Sequence, residues 1–158
     1  HVTCNTKHVT CNTSPQKLLY VSCYMFHDKN MEEIIYKEMI LDLYRHPLNK
    51  GILSSYDATA HDFSTSCGDD ITIYLKFDDM GRIAEIMHDG QGCAISQAAV
   101  SLLTEEIKGK QKEMIPKITE EKMIGMLGIP VSYTRKSCAL LGLKTLQKTF
   151  TNIEHRSP

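Results

Sequence analysis

The chain contains no tryptophan, and its seven tyrosines are scattered, which leaves no aromatic cluster to interpret. No apolar run approaches the ~18 residues of a membrane-spanning helix, so no membrane partner is expected. Net charge is nearly absent: 18 Lys and Arg against 19 Asp and Glu give a formal charge of −1. Without a basic stripe, nucleic acid is not an expected partner, and no acidic tail stands out. Lys108, Lys110 and Lys112 read as a solvated charge run. Gly90 and Gly92 read as turn formers, because no Lys-Ser/Thr pair follows them to make a phosphate cradle. With 158 residues the chain is long enough to bury a core without disulfide staples. Of its six cysteines, Cys67, Cys93 and Cys138, in glycine-rich turn or helix-entry contexts, are read as reduced thiols and not as a disulfide framework, which implies a cytoplasmic setting.

The first thirty residues differ from the rest. His1–Asn30 holds a tandem repeat, H-V-T-C-N-T-K then H-V-T-C-N-T-S, with no helical or alternating period. The repeat of His1, Cys4, His8 and Cys11 offers metal-binding residue types, but nothing else in the segment orders them. A non-native or disordered extension is the simpler expectation, with Met31 opening the folded domain.

From there the periodicities are clearer. Glu32–Arg45 puts Ile34, Ile35, Met39, Ile40, Leu43 and Tyr44 on one helical stripe, closed by His46-Pro47. Ser54–Phe63 has room for a short edge strand. Ile71–Phe77 alternates Ile71, Ile73, Leu75 and Phe77 and predicts a strand. Asp78–Gly81 reads as a hairpin loop, and Arg82–His88 as the returning strand. Asp89–Cys93 reads as a tight turn bracketed by glycines. Ala94–Ile107 follows as a helix that buries Ile95, Ala98, Ala99, Leu102 and Leu103 and ends at Gly109. Met114–Gly128 is expected to be helical in parts, broken at Pro116 and Gly125. Cys138–Thr149 is the last helix, with Leu141, Leu143 and Leu146 inward, and 151–158 is expected to fray. The order predicts an α+β fold: a small antiparallel three-stranded sheet with helices packed on one face.

The chemistry concentrates in three cysteines. Cys67 lies in S-C-G-D before a strand, Cys93 in G-Q-G-C-A-I-S before a helix, and Cys138 in R-K-S-C-A-L-L at an expected helix start. Backbone N–H groups at such turns and helix entries favour a thiolate. Asp69 stands two residues after Cys67. Three thiols and a carboxylate make a tetrahedral set for a borderline metal. A single cysteine before a helix is more often a small buried residue, and it is the combination that favours function. The lone His61 and His88 are given no role.

With Tyr-Arg-His-Pro-Leu-Asn-Lys-Gly at Tyr44–Gly51, Cys67–Asp69, Gly90–Ser96 and Arg135–Leu140, the chain from Met31 to about Phe150 resembles the IscU/NifU N-terminal family of iron–sulfur cluster assembly proteins, with SufU-like wording around Cys93 and Cys138. The resemblance implies an iron–sulfur scaffold. It would accept sulfur from a cysteine desulfurase, draw on an iron and electron donor, and pass a transient [2Fe–2S] cluster to apo iron–sulfur proteins. It also implies an alternative, a SufU-like zinc-dependent sulfurtransferase that relays sulfur and builds no cluster. A closed structural zinc site is a third reading. By motif, the ligands of the cluster or of Zn2+ are Cys67, Asp69, Cys93 and Cys138. Cys138 is the implied sulfur acceptor, and Arg135 the basic residue expected to lower its pKa. Three departures stand out. The Cys93–Cys138 interval is short, as in IscU. Ser137 occupies a position that is His or Lys in the family. Gly128–Ser132 lacks one proline and the lysine of the chaperone-recognised Leu-Pro-Pro-Val-Lys motif of IscU-type proteins.

Overall fold

The computed structural model describes residues 29–154, with side chains from Met31 onward. The repeat-bearing segment falls outside these residues, except that Lys29 and Asn30 already belong to the first helix.

Helix α1 spans Lys29–Arg45, strand β1 Ala58–Phe63, β2 Asp70–Phe77 and β3 Ile83–Gln91. Helix α2 spans Ala94–Ile107, a 3-10 turn covers Lys112–Lys117, α3 spans Glu120–Leu127, and α4 spans Tyr133–Glu154. The strands form one antiparallel sheet in the order β1-β2-β3. Alternation in β2 sends Ile71, Ile73 and Leu75 to one face, where each is fully buried. Ala58 and Ala60 of β1, with Ile83 and Ile86 of β3, join them. Helices α2 and α4 cover that face. They approach closely because Gly142 of α4 has no side chain: a Cβ there would stand 3.1 Å from the Val100 Cβ. The α+β architecture is thus the one the periodicities predict.

Four features differ from the sequence reading. Helix α1 buries only Ile40 and Leu43 of its apolar stripe, while Ile34, Ile35 and Tyr44 stay exposed. Strand β3 runs on through the expected turn to Gln91. Gly90 pairs with Ile71 there at φ 122, where an added Cβ would strike the Asp70 carbonyl oxygen of the neighbouring strand. The break after Pro116 lies at Ile118–Thr119, not at Gly125, which sits inside α3. Thr119 caps that helix by accepting the Lys122 N–H at 3.2 Å, and Gly128, at φ 64, ends it. Helix α4 opens at Tyr133, five residues ahead of Cys138, with the Ser132 carbonyl accepting from the Arg135 and Lys136 N–H groups.

A strap after α1 docks along the sheet edge. The Gly51 N–H donates to the His88 carbonyl, and the His88 N–H donates to the Asn49 carbonyl. The His88 ring, fully buried, bonds the Leu48 carbonyl through Nε2 at 2.9 Å. Burial lowers its pKa to about 4, which keeps the ring neutral.

Candidate metal and thiol site

The register of the sheet creates the site. Phe63 pairs with Asp70, so Ser64–Asp69 is the β1–β2 hairpin loop. Asp70 also pairs with Gln91, which brings the end of β3 and the start of α2 to the same end of the sheet. Cys67 is at the loop's exposed tip and Asp69, 1% exposed, at its base. The loop closes through Ser64 N–H to the Asp69 carbonyl (2.7 Å) and Gly68 N–H to the Ser64 carbonyl (2.9 Å).

Cys93 is the N-cap of α2. Its Sγ accepts the Ser96 N–H at 3.5 Å, its N–H donates to Asp69 Oδ1 at 3.0 Å, and its Sγ lies 3.8 Å from Asp69 Oδ2. Gly92 permits this approach, since a Cβ there would stand 3.0 Å from Asp69 Oδ1 and collide with Ser96 Oγ. Cys138, 4% exposed, reaches the cluster from the second turn of α4.

Ligand atoms of Cys67, Asp69 and Cys138 all lie within 4.8 Å of one another. Cys93 stands beside this set, in contact with Asp69. Tetrahedral zinc with Zn–S bonds of about 2.3 Å separates its sulfurs by roughly 3.8 Å, so the donors fit such an ion with small adjustments. Their chemistry agrees. Two thiols and a carboxylate crowded into a partly buried space cannot all ionise without a compensating cation.

The two neighbouring thiols are shifted in opposite directions. Hydrogen bonds from Cys138, Ser64 and Ser66 hold the Cys67 thiol below its usual range. Burial, reinforced by Cys67 and Asp69, pushes the Cys138 thiol up. This corrects the sequence reading in two respects. Cys138 lies within a helix rather than at its opening, so it gains no free N–H groups. Arg135, exposed at the cleft rim, does not offset the cost of burial.

The thiols face a cleft of about 870 Å³ that also draws on Glu120, Tyr133, Lys136 and Lys144. Lys136 pairs with Glu120 at 3.1 Å, and Tyr133 is 92% exposed. Ser137 turns its hydroxyl toward the Thr134 carbonyl at 3.5 Å. The sequence reading missed the serines around Cys67, although S-T-S directly before the cysteine was the available signal. Tyr133 and Lys144 gave no signal, because their placement depends on where α4 begins.

Residues 35–157 match the model of the NifU-like N terminal domain. The chain belongs to the NifU-like N-terminal domain family. This NifU-like domain is 33% identical over 135 residues to the zinc-dependent sulfurtransferase SufU of Bacillus subtilis, covering 73% of this chain and 89% of that one. It is 31% identical over 137 residues to the iron–sulfur cluster assembly scaffold protein IscU of Thermotoga maritima, covering 77% and 96%. The crystal structure of SufU from Fervidobacterium islandicum superposes with a TM-score of 0.62 at 28% identity, over 75% of this chain and 98% of that one. A NifU-like N-terminal structure from Brucella abortus shares the fold at a TM-score of 0.65 and 22% identity, over 82% and 100%. No described helix is long and apolar enough to cross a membrane.

Proposed function

We propose that this NifU-like domain is an iron–sulfur cluster assembly scaffold. It takes sulfur from a cysteine desulfurase and iron from a donor, and hands a [2Fe–2S] cluster to apo-proteins, in a reducing compartment such as the cytoplasm. The observation that carries this reading is the open arrangement of donors: Cys67 exposed, Cys93 half-buried, Cys138 and Asp69 buried, around one cleft. A closed structural zinc site would hide all four.

Each residue has a part in this reading. Cys67, exposed and with its thiol held below the usual range by hydrogen bonds from Cys138, Ser64 and Ser66, is the sulfur that a macromolecular donor meets first. Cys138 lies directly beneath it and receives sulfur from the inner side. Cys93 completes the thiolate set, and thiolates suit both iron in clusters and zinc. Asp69 supplies an oxygen that bonds soft metals less strongly than a fourth thiolate, which favours release of the cargo. Arg135, Lys136 and Lys144 give the rim a cationic character suited to an acidic segment of a partner.

A second reading is favoured by the similarity to the SufU sulfurtransferase: Zn2+ held by the same residues, with sulfur relayed and no cluster built. The deciding experiment mixes the oxygen-free protein with ferrous iron, cysteine and a cysteine desulfurase while visible absorbance is followed. Sulfide-to-iron bands that grow on this protein and vanish in Cys67→Ala, Cys93→Ala and Cys138→Ala support the scaffold. Faster desulfurase turnover without bands, with zinc retained, replaces it with the sulfurtransferase.

A further inference from the structure

The cleft contains a dithiol whose two members differ in exposure and in the element that carries them. Their ligand atoms belong to the set lying within 4.8 Å of one another. Cys67 is exposed and Cys138 buried. Cys67 is followed by Gly68, at φ 70, where an added Cβ would meet nothing within 4 Å, so the loop tip has open space around it. Cys138 is fixed within a 22-residue helix. Cys93 is outside the mutual set, and its sulfur is engaged by the Ser96 N–H and beside Asp69. A disulfide requires the sulfurs to close to about 2.05 Å with Cβ atoms roughly 3.5–4.5 Å apart. Movement of a loop tip supplies such a change more readily than movement of a helix-capping residue.

We propose that Cys67 and Cys138 are a specific oxidation site, forming a reversible disulfide on exposure to a hydroperoxide. The exposed Cys67 sulfur attacks the peroxide O–O bond, becomes a sulfenic acid and releases one water. The Cys138 sulfur then attacks the Cys67 sulfur and displaces the second water. In balance, two thiols and one hydrogen peroxide give one disulfide and two waters. The oxidation withdraws two of the three thiols from the ligand set and leaves Cys93 and Asp69, too few donors to hold a metal ion firmly. It also spares Cys67 the irreversible steps of further oxidation, because a resolving thiol lies within reach. The inference rests on the placement of the thiols and holds whether the domain assembles clusters or relays sulfur.

The test uses the full chain, freed of metal with a chelator and treated with hydrogen peroxide. Remaining thiols are blocked with iodoacetamide and peptides are mapped by mass. The expected product is a Cys67–Cys138 cross-linked peptide, lighter by two hydrogens and restored by dithiothreitol, with Cys93 alkylated. A Cys93→Ser variant, whose hydroxyl can still cap α2, should give the same cross-link in similar yield. A dominant disulfide to Cys93, or to Cys4, Cys11 or Cys23, overturns the proposal. So does conversion of Cys67 to the sulfinic acid while Cys138 remains alkylatable.

Discussion

The backbone N–H of Cys93 donates to Asp69 Oδ1 at 3.0 Å, so one buried carboxylate joins the β1–β2 loop to the N-terminus of α2. Asp69 therefore braces two of the thiol-bearing segments, and it belongs to a group of side chains that could hold a metal ion.

Replacing it separates these roles. Asp69→Ala removes a hydrogen bond to a charged group and should lower stability by about 1.5–3 kcal/mol, read from the urea midpoint. Asp69→Asn keeps an acceptor for Cys93 and should recover much of that loss. If the oxygen ligand promotes release, an assembled cluster should leave the alanine variant more slowly, measured as its transfer half-life to an apo-ferredoxin. Faster transfer would contradict that role.

The depth of the two facing thiols predicts an order of sulfur loading. Cys67→Ser should cut the initial rate of persulfide labelling from a desulfurase by roughly tenfold, because on the proposed reading Cys67 is the exposed nucleophile that the donor meets first. Cys138→Ser should have a smaller effect on that first step. Labelling is followed with isotopic cysteine and mass mapping, and the reverse ranking would make Cys138 the first acceptor.

Two glycines of the site should respond differently to alanine. In Gly92→Ala the new methyl presses on Asp69 Oδ1 and Ser96 Oγ. Displacing a carboxylate that orients the ligands should weaken Zn2+ binding by about 10- to 100-fold, measured by competition with a chromophoric chelator. Gly68→Ala meets open space and bears only the cost of its positive φ, about 1–2 kcal/mol of stability. Its zinc affinity should change far less.

His88 predicts a pH dependence. Burial lowers its folded-state pKa from 6.5 to about 4, so the unfolded chain binds the proton more readily. Its contribution to stability is complete above pH 6.5 and declines as pH falls toward 4, by an amount on the order of 3 kcal/mol. His88→Gln retains an N–H for the Leu48 carbonyl and does not titrate, so its urea midpoint should decline less than that of the natural chain between pH 7 and 5. Parallel declines would remove His88 as a source of the acid sensitivity.

Much of this molecule was readable from its residues, for identifiable reasons. Strand β2 alternates because one of its faces is buried against helices. The three cysteine motifs stood out because glycine and helix-entry residues surround them; register then brought the first two to one end of the sheet, and α4 carried the third to them. What escaped was set by backbone pairing and helical phase. Gly90 looked like a turn, yet its missing side chain serves a close strand pairing. Residues Tyr133–Ser137 are polar and exposed at most positions, so α4 seemed to begin where its apolar residues do. That shift buried Cys138 and reversed the expected direction of its pKa.

The cleft is lopsided: Cys67 sits on a six-residue hairpin loop, Ser64–Asp69, while Cys138 is rooted in a 22-residue helix. Under the proposed scaffold reading, cargo held between them would come away from Cys67 first and pivot on Cys138, and a partner that grips the Ser64–Asp69 loop would govern both arrival and departure.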